Sequence, residues 1–62
     1  MTNYPTDPGF YFVKLKDGIS VCEMEYADYY KPPKRHYFVI GSDEILEDKD
    51  FKPENFIKKI EP

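Results

Sequence analysis

Gly9-Phe10-Tyr11-Phe12-Val13-Lys14-Leu15-Lys16-Asp17-Gly18-Ile19-Ser20-Val21-Cys22-Glu23-Met24-Glu25-Tyr26 reads as one β-hairpin. Asp17-Gly18 has the composition of a two-residue type I′ turn, in which both central residues take φ > 0. That turn sets the pairing. Lys16 faces Ile19, Lys14 faces Val21, Phe12 faces Glu23 and Phe10 faces Glu25. On the opposite face Leu15 meets Ser20, Val13 meets Cys22 and Tyr11 meets Met24. The second face is apolar apart from Ser20, and Tyr26 extends it. The first is mixed, with Phe10, Phe12, Ile19 and Val21 among lysines and glutamates. A slip of one residue would move every side chain to the wrong face, so the alternation and the turn support one another.

The remainder of the chain fits around this hairpin. Pro8-Gly9 opens the first strand, since proline is tolerated at a strand's start but not within its ladder. Residues 1–8, polar and proline-punctuated, form a short mobile lead. Residues 27–36 form a long loop, because Pro32-Pro33 breaks regular structure and forces the preceding residues to be extended. Tyr37-Phe38-Val39-Ile40, apolar on both faces, is expected as a central strand. Gly41-Ser42-Asp43 turns the chain, and Ile45-Leu46 returns as a short fourth strand. A single helical turn is expected near residues 50–56, with Pro53 suited to its first position. Phe56 to Ile60 closes the chain as a strand, with Phe56 and Ile60 on one face and Ile57 on the other. The expected class is all-β: a small antiparallel bent sheet, or an SH3-like open barrel of four to five strands.

Sixty-two residues make one small domain. A chain of this length buries only about 60% of the surface its unfolded form exposes, so its stability is marginal. Five Phe and six Tyr, with no Trp, supply large buried side chains. The single cysteine, Cys22, allows no intramolecular disulfide, which favours a reducing, cytoplasmic setting. No apolar run is long enough to span a membrane. The net charge is −3, and all of the deficit lies after Gly41. A general duplex-binding protein would carry a basic surplus instead.

Candidate chemistry is sparse. Cys22 points to the apolar face, where a thiol is an inert small hydrophobe. His36, the only histidine, falls in the basic loop as a solvated side chain, and without a second soft ligand it makes no zinc site. No catalytic set, metal site or cofactor motif is present, and no enzyme activity is expected. Asp43, Glu44, Glu47, Asp48 and Asp50 form a solvated acidic edge, or an acidic surface for a basic partner. Tyr29, Tyr30, Lys31, Lys34, Arg35 and His36 are the partner-binding candidates. Tyr and Arg are enriched at protein-interaction hot spots. Aromatic planes beside cations also suit single-stranded nucleic acid, which is the alternative function. Asp28-Tyr29-Tyr30 is similar to the tyrosine-rich signature of eukaryotic SH3 domains, but it follows a complete hairpin here, and no polyproline site is carried over. The mixed hairpin face would favour a homodimer if left open. Phe56, Ile57 and Ile60 are apolar enough to fold over it, which favours a monomer.

Two ends of the chain together resemble a family. Pro8-Gly9-Phe10-Tyr11-Phe12-Val13-Lys14 resembles the PGWYWVK opening of small, largely uncharacterised proteins encoded by phages and prophages. Tyr37 to Glu44 and Lys58-Lys59-Ile60-Glu61-Pro62 resemble their "W…GSE" middle and "KIEP" close. Phenylalanine stands where those proteins carry tryptophan, and the proline-rich basic loop is not part of their pattern. The resemblance implies a mobile-element accessory protein of small β fold, without a known catalytic residue, acting in the cytoplasm of a bacterial host. It further implies a protein that binds and inhibits a host protein, such as a component of a defence system.

Overall fold

The structure, a computed structural model, describes residues 3–61. Met1, Thr2 and Pro62, the ends of the expected lead and of the KIEP-like close, lie outside the described residues. The fold is all-β, with four antiparallel strands in one open sheet: β1 (Gly9–Leu15), β2 (Gly18–Ala27), β3 (Lys34–Val39) and β4 (Phe56–Lys59). Their order across the sheet is β3-β2-β1-β4. Two 3₁₀ turns, Asp48–Asp50 and Pro53–Asn55, precede β4.

The hairpin forms, but it turns on Lys16-Asp17 rather than Asp17-Gly18. Leu15 pairs with Gly18, Val13 with Ser20, Phe12 with Val21 and Tyr11 with Cys22. Each expected partner is thus displaced by two residues. An even displacement leaves every side chain on its face, which is why the alternation was legible while the pairing was not. The reason lies in the backbone. A type I′ turn would hold Asp17 at positive φ, a left-handed conformation costing a non-glycine residue roughly 1–2 kcal/mol. Among the described residues no non-glycine takes positive φ, and at this turn Gly18 carries it, at +131°. The adopted register also sets Phe12 against Val21, an aromatic–β-branched pair.

One face of the sheet carries the core. Tyr11, Val13, Cys22, Met24, Tyr37, Phe51 and Phe56 are buried there, with Tyr4, Leu15, Tyr26, Val39 and Leu46 packed around them. Phe56 is the hub. Its ring lies 5.2 Å from those of Tyr37 and Phe51 and 6.3 Å from those of Tyr4 and Tyr11. Aromatic pairs at such separations add to area burial, and five rings meeting here make up for the shortness of the chain.

Three expectations about strands are corrected. The apolar run Tyr37–Ile40 lies in β3 as far as Val39, and β3 is an edge strand and not a central one. Tyr37 and Val39 face the core, while Phe38 and Ile40 face outward. Ile45-Leu46 forms no strand. Leu46 makes a single bridge to Tyr37, with N–H···O distances of 2.8 and 3.0 Å, and this covers part of the β3 edge. The register of β4 on β1 shifts between Phe12 and Val13. This shift places Phe56 on the core face, opposite Val13, whereas the Ile60 amide donates to the Phe10 carbonyl at 2.8 Å on the side of Lys58 and Phe12. Phe56 and Ile60 therefore part company, and the carboxy-terminal segment does not close over the mixed face of the hairpin.

The two expected irregular segments are shorter and better held than the sequence suggests. β2 runs to Ala27 and β3 starts at Lys34, so the loop spans 28–33 instead of 27–36. The expected mobile lead is tied to the core side. Tyr4 donates its hydroxyl to the Phe51 carbonyl (2.8 Å), Tyr26 to that of Thr6 (2.7 Å) and Tyr11 to that of Asp7 (2.6 Å). A tyrosine ring sunk in a core still needs a partner for its hydroxyl. The Thr6 and Asp7 carbonyls satisfy two of these hydroxyls and the Phe51 carbonyl the third, and residues 4–7 are fixed in exchange. Asp50 and Asn55 return their side chains to the backbone N–H of Glu47 and Lys52, both at 2.8 Å, and so close the two 3₁₀ turns.

Phe56→Ala is expected to remove about 3–5 kcal/mol. That matches the whole stability of about 3–5 kcal/mol that a core of this size supplies. The variant should therefore lose its near-ultraviolet circular dichroism at 25 °C without denaturant. Ile45→Ala, at a position 58% exposed, should leave the urea midpoint close to that of the parent. A cooperative urea transition in Phe56→Ala at the parental midpoint would show that the ring cluster is not the core.

Candidate functional site

The six residues singled out as a partner-binding set divide between the two faces of the sheet. Arg35 pairs with Tyr26 across β2 and β3 and so shares the core face with Tyr37. Its guanidinium grips Asp48, with Nε 3.1 and 3.2 Å from the two carboxylate oxygens and a terminal nitrogen at 2.9 Å. The other terminal nitrogen donates to the Pro5 carbonyl at 3.3 Å, and the guanidinium carbon lies 5.5 Å from the Tyr4 ring centre. Tyr37 donates its hydroxyl to the same carboxylate at 2.6 Å. A forked contact of this kind is among the stronger polar interactions a protein makes. It spends Arg35 and Asp48 on each other, so neither serves as a surface charge.

The pKa shifts follow from this geometry. Burial alone would raise Asp48, but hydrogen bonds from Arg35 and Tyr37 outweigh it and hold the carboxyl below its usual value of 3.8. The Arg35 guanidinium is held charged even more firmly by its bond to Asp48. Tyr37 is raised well above 10.0, first by burial and then by the adjacent carboxylate. Tyr11 is also raised by burial and by the charge of Asp7. Burial pushes the Cys22 thiol up to about 11, so it is a core side chain without thiolate character.

The acidic edge is dismantled in the same way. Asp48 is bound to Arg35, Asp50 closes its own turn, and Glu47 sits 3.9 Å from the Lys34 ammonium. Of the five residues of that edge, Asp43 and Glu44 are the two exposed carboxylates without such an engagement. An open cleft of about 410 Å³ between Tyr26, Pro33, Lys34, Arg35, Glu47, Asp48 and Lys49 surrounds the Arg35–Asp48 contact. Within it Lys34 pairs with Glu47 and Arg35 with Asp48, and Lys49 is the remaining charged residue of the lining. Among the described residues no cluster of His, Cys, Asp and Glu could hold a metal ion.

Tyr29, Tyr30 and His36 assemble on the opposite face. His36 was expected in a solvated loop. It sits instead inside β3, opposite Glu25, and is only 8% exposed. It is covered by the loop that was expected to contain it. The Tyr29 and Tyr30 rings lie 4.7 Å apart, and both approach the imidazole edge-on, at 6.3 and 5.8 Å. The Lys34 ammonium is placed over the Tyr30 ring at 4.5 Å. Tyr29 remains 76% exposed at the top of this stack. Beside it a shallow depression is lined by Glu25, Ala27, Asp28, His36, Phe38 and Ile45. Lys31 is exposed at the loop tip. Sequence reasoning missed Phe38, Ile40 and Ile45 as surface residues. The signal was present in the alternation of Tyr37 to Ile40, which assigns Phe38 and Ile40 to the face opposite Tyr37 and Val39.

Asp48 yields a prediction with a defined sign. A carboxyl whose folded pKa is depressed contributes stability above its unfolded value, and that contribution is lost as pH falls through the folded value. Asp48→Asn is therefore expected to lower stability at neutral pH by about 1–2 kcal/mol, the modest end for bonds to charged groups because the side chain is partly solvated. The deficit should shrink as pH falls below 3.8. Urea denaturation of both proteins from neutral to acid pH reads this directly. A deficit independent of pH would assign the loss to packing rather than to the charge.

No protein-family model, curated protein or solved structure matches the chain.

Proposed function

We propose that this chain is a non-enzymatic protein-binding module whose contact point is the Tyr29–Tyr30 stack, with Lys31 and the adjoining depression as its surround. The observation that carries the reading is the exposure of Tyr29 on a base already formed by Tyr30 and His36. A large aromatic held in place before binding loses little conformational freedom on contact, and such residues dominate interface energetics. Single-stranded nucleic acid is less well served. Of the three cations expected to hold phosphates, Arg35 is committed to Asp48 and Lys34 lies between Tyr30 and Glu47. Only Lys31 is left, and one cation supports little phosphate affinity. The resemblance to phage and prophage proteins supports extending the proposal to a host protein as the partner, bound and inhibited, with a defence-system component as the type of target.

The test is comparative capture. The immobilised protein, exposed to a bacterial lysate, should retain one stoichiometric protein partner. Tyr29→Ala should weaken that partner's binding by about 2 kcal/mol or more, the range of an interface hot spot. Its unfolding transition should not change, because the ring contributes little to the core. Labelled single strands at low salt should show no change in anisotropy. Retention undiminished in Tyr29→Ala would remove the stack from the binding surface, and a salt-sensitive anisotropy change would replace the reading with the nucleic-acid one.

A further inference from the structure

The shallow depression beside Tyr29 is walled by carboxylates and rings. Glu25 and Asp28 line it together with Tyr29, His36 and Phe38, and no lysine or arginine does. Glu23, on the same face of β2 as Glu25 and opposite Phe38, adds a third acidic residue. Neither Glu25 nor Asp28 makes a hydrogen bond or an ion pair among the described residues. His36 is unusual in a different way. It is 8% exposed and lines the depression, yet its ring nitrogens make no hydrogen bond among the described residues. Glu25, opposite it in the ladder, forms no ion pair with it. Its neighbours are the Tyr29 and Tyr30 rings, at 6.3 and 5.8 Å. A polar side chain so far buried is ordinarily hydrogen-bonded. Here the imidazole keeps unused bonding capacity at the wall of a hollow.

We infer that the depression takes an arginine side chain of the protein partner, an inference that rests on the Tyr29–Tyr30 contact proposed above. The two carboxylates and an imidazole lone pair are all acceptors, and a guanidinium is a planar, donor-only group. Carboxylates hold it by charge-assisted hydrogen bonds, and the Tyr29 and Phe38 rings offer faces for its flat surface. A lysine ammonium is a point charge that would use the carboxylates without stacking. The chain shows how this tyrosine stack receives a cation in its own Lys34, whose ammonium lies 4.5 Å from the Tyr30 ring centre. Tyr29, 76% exposed, leaves its ring open to a cation from outside. The space agrees. The depression has a volume of about 350 Å³, near the lower end of the roughly 300–1,000 Å³ of ligand sites, which suits one long side chain and not a folded segment. An acidic partner would set like charge against Glu25 and Asp28, and an apolar one would strip them of water without a counterion. Lys31, at the loop tip, lies outside the lining.

The probe is the capped tripeptide acetyl-Gly-Arg-Gly-amide, titrated into the full, isotopically labelled chain and followed by nuclear magnetic resonance. Saturable shifts are expected at the amides of Glu25, Asp28 and Tyr29 and at the His36 imidazole, and they should fade as salt is added. The citrulline tripeptide, of the same shape but uncharged, should move none of these signals, and the lysine tripeptide should bind more weakly. Glu25→Gln combined with Asp28→Asn alters two exposed side chains, so folding should persist, as circular dichroism will verify. Arginine binding by this variant should fall about threefold or more, the combined effect of two exposed charges. Equal shifts from arginine and citrulline would overturn the inference. So would shifts scattered over the surface, a lysine tripeptide bound as tightly, or an affinity unchanged in the double variant. A Tyr29-dependent lysate partner without any arginine response would remove the arginine site and leave the protein-binding reading in place. An arginine response without a lysate partner would keep the site and remove that reading.

Discussion

The forked contact of Arg35 with Asp48 is the constraint around which the molecule is arranged. It joins three parts of the chain that share no continuous ladder: β3, the first 3₁₀ turn and, through the Pro5 carbonyl and the Tyr4 ring, the amino-terminal segment. Tyr37 enters the same carboxylate from the core side. With Asp48 fixed, the segment that follows is set down against the sheet so that Phe51 reaches Tyr37, 5.1 Å between ring centres, and Phe56 follows into the hub. An exposed ion pair contributes little to stability. This one is partly buried, forked, and shared with a buried tyrosine, and it orients residues whose packing supplies most of the folding energy.

A second economy follows from the abundance of tyrosine over phenylalanine in the core. Tyr4, Tyr11 and Tyr26 each bring a hydroxyl that must be satisfied, and each finds a carbonyl, three of the four tyrosine partners on the core side being backbone oxygens. Two of those carbonyls belong to Thr6 and Asp7, in the amino-terminal segment. The sheet therefore acquires a partial second layer from a lead and two 3₁₀ turns, without any helix. All of that covering material lies on one side. The other side of the sheet leaves Phe10, Ile19 and Ile40 exposed, with the Tyr29–Tyr30 stack at its end.

How much of this could be read beforehand depends on the range of the interaction involved. The hairpin, its faces and the all-β class are local consequences of alternation at Phe10 to Leu15 and Ile19 to Tyr26, and they were legible. The partner of each residue was not, because displacing the register by two leaves the alternation unchanged and only the φ angles of Asp17 and Gly18 separate the two pairings. The burial of His36 was hidden because β3 begins at Lys34, immediately after two prolines that signal irregular structure. Arg35 and Asp48 were each noticed, one as part of a basic loop and the other as part of an acidic edge. Nothing local says that they cancel, since their pairing is a property of the folded sheet. The absence of a cover over the mixed face turned on a single register shift between Phe12 and Val13, which composition does not encode.

The account makes the Arg35–Asp48 pair energetically cooperative rather than two neighbouring surface charges, and a double-mutant cycle reads that property alone. Arg35→Met, Asp48→Asn and the combined variant would be compared with the parent by urea denaturation at neutral pH. The expected coupling is above about 1 kcal/mol, because each single change strands a charge that the other residue had satisfied. Effects of the two changes that add within about 0.5 kcal/mol would contradict it.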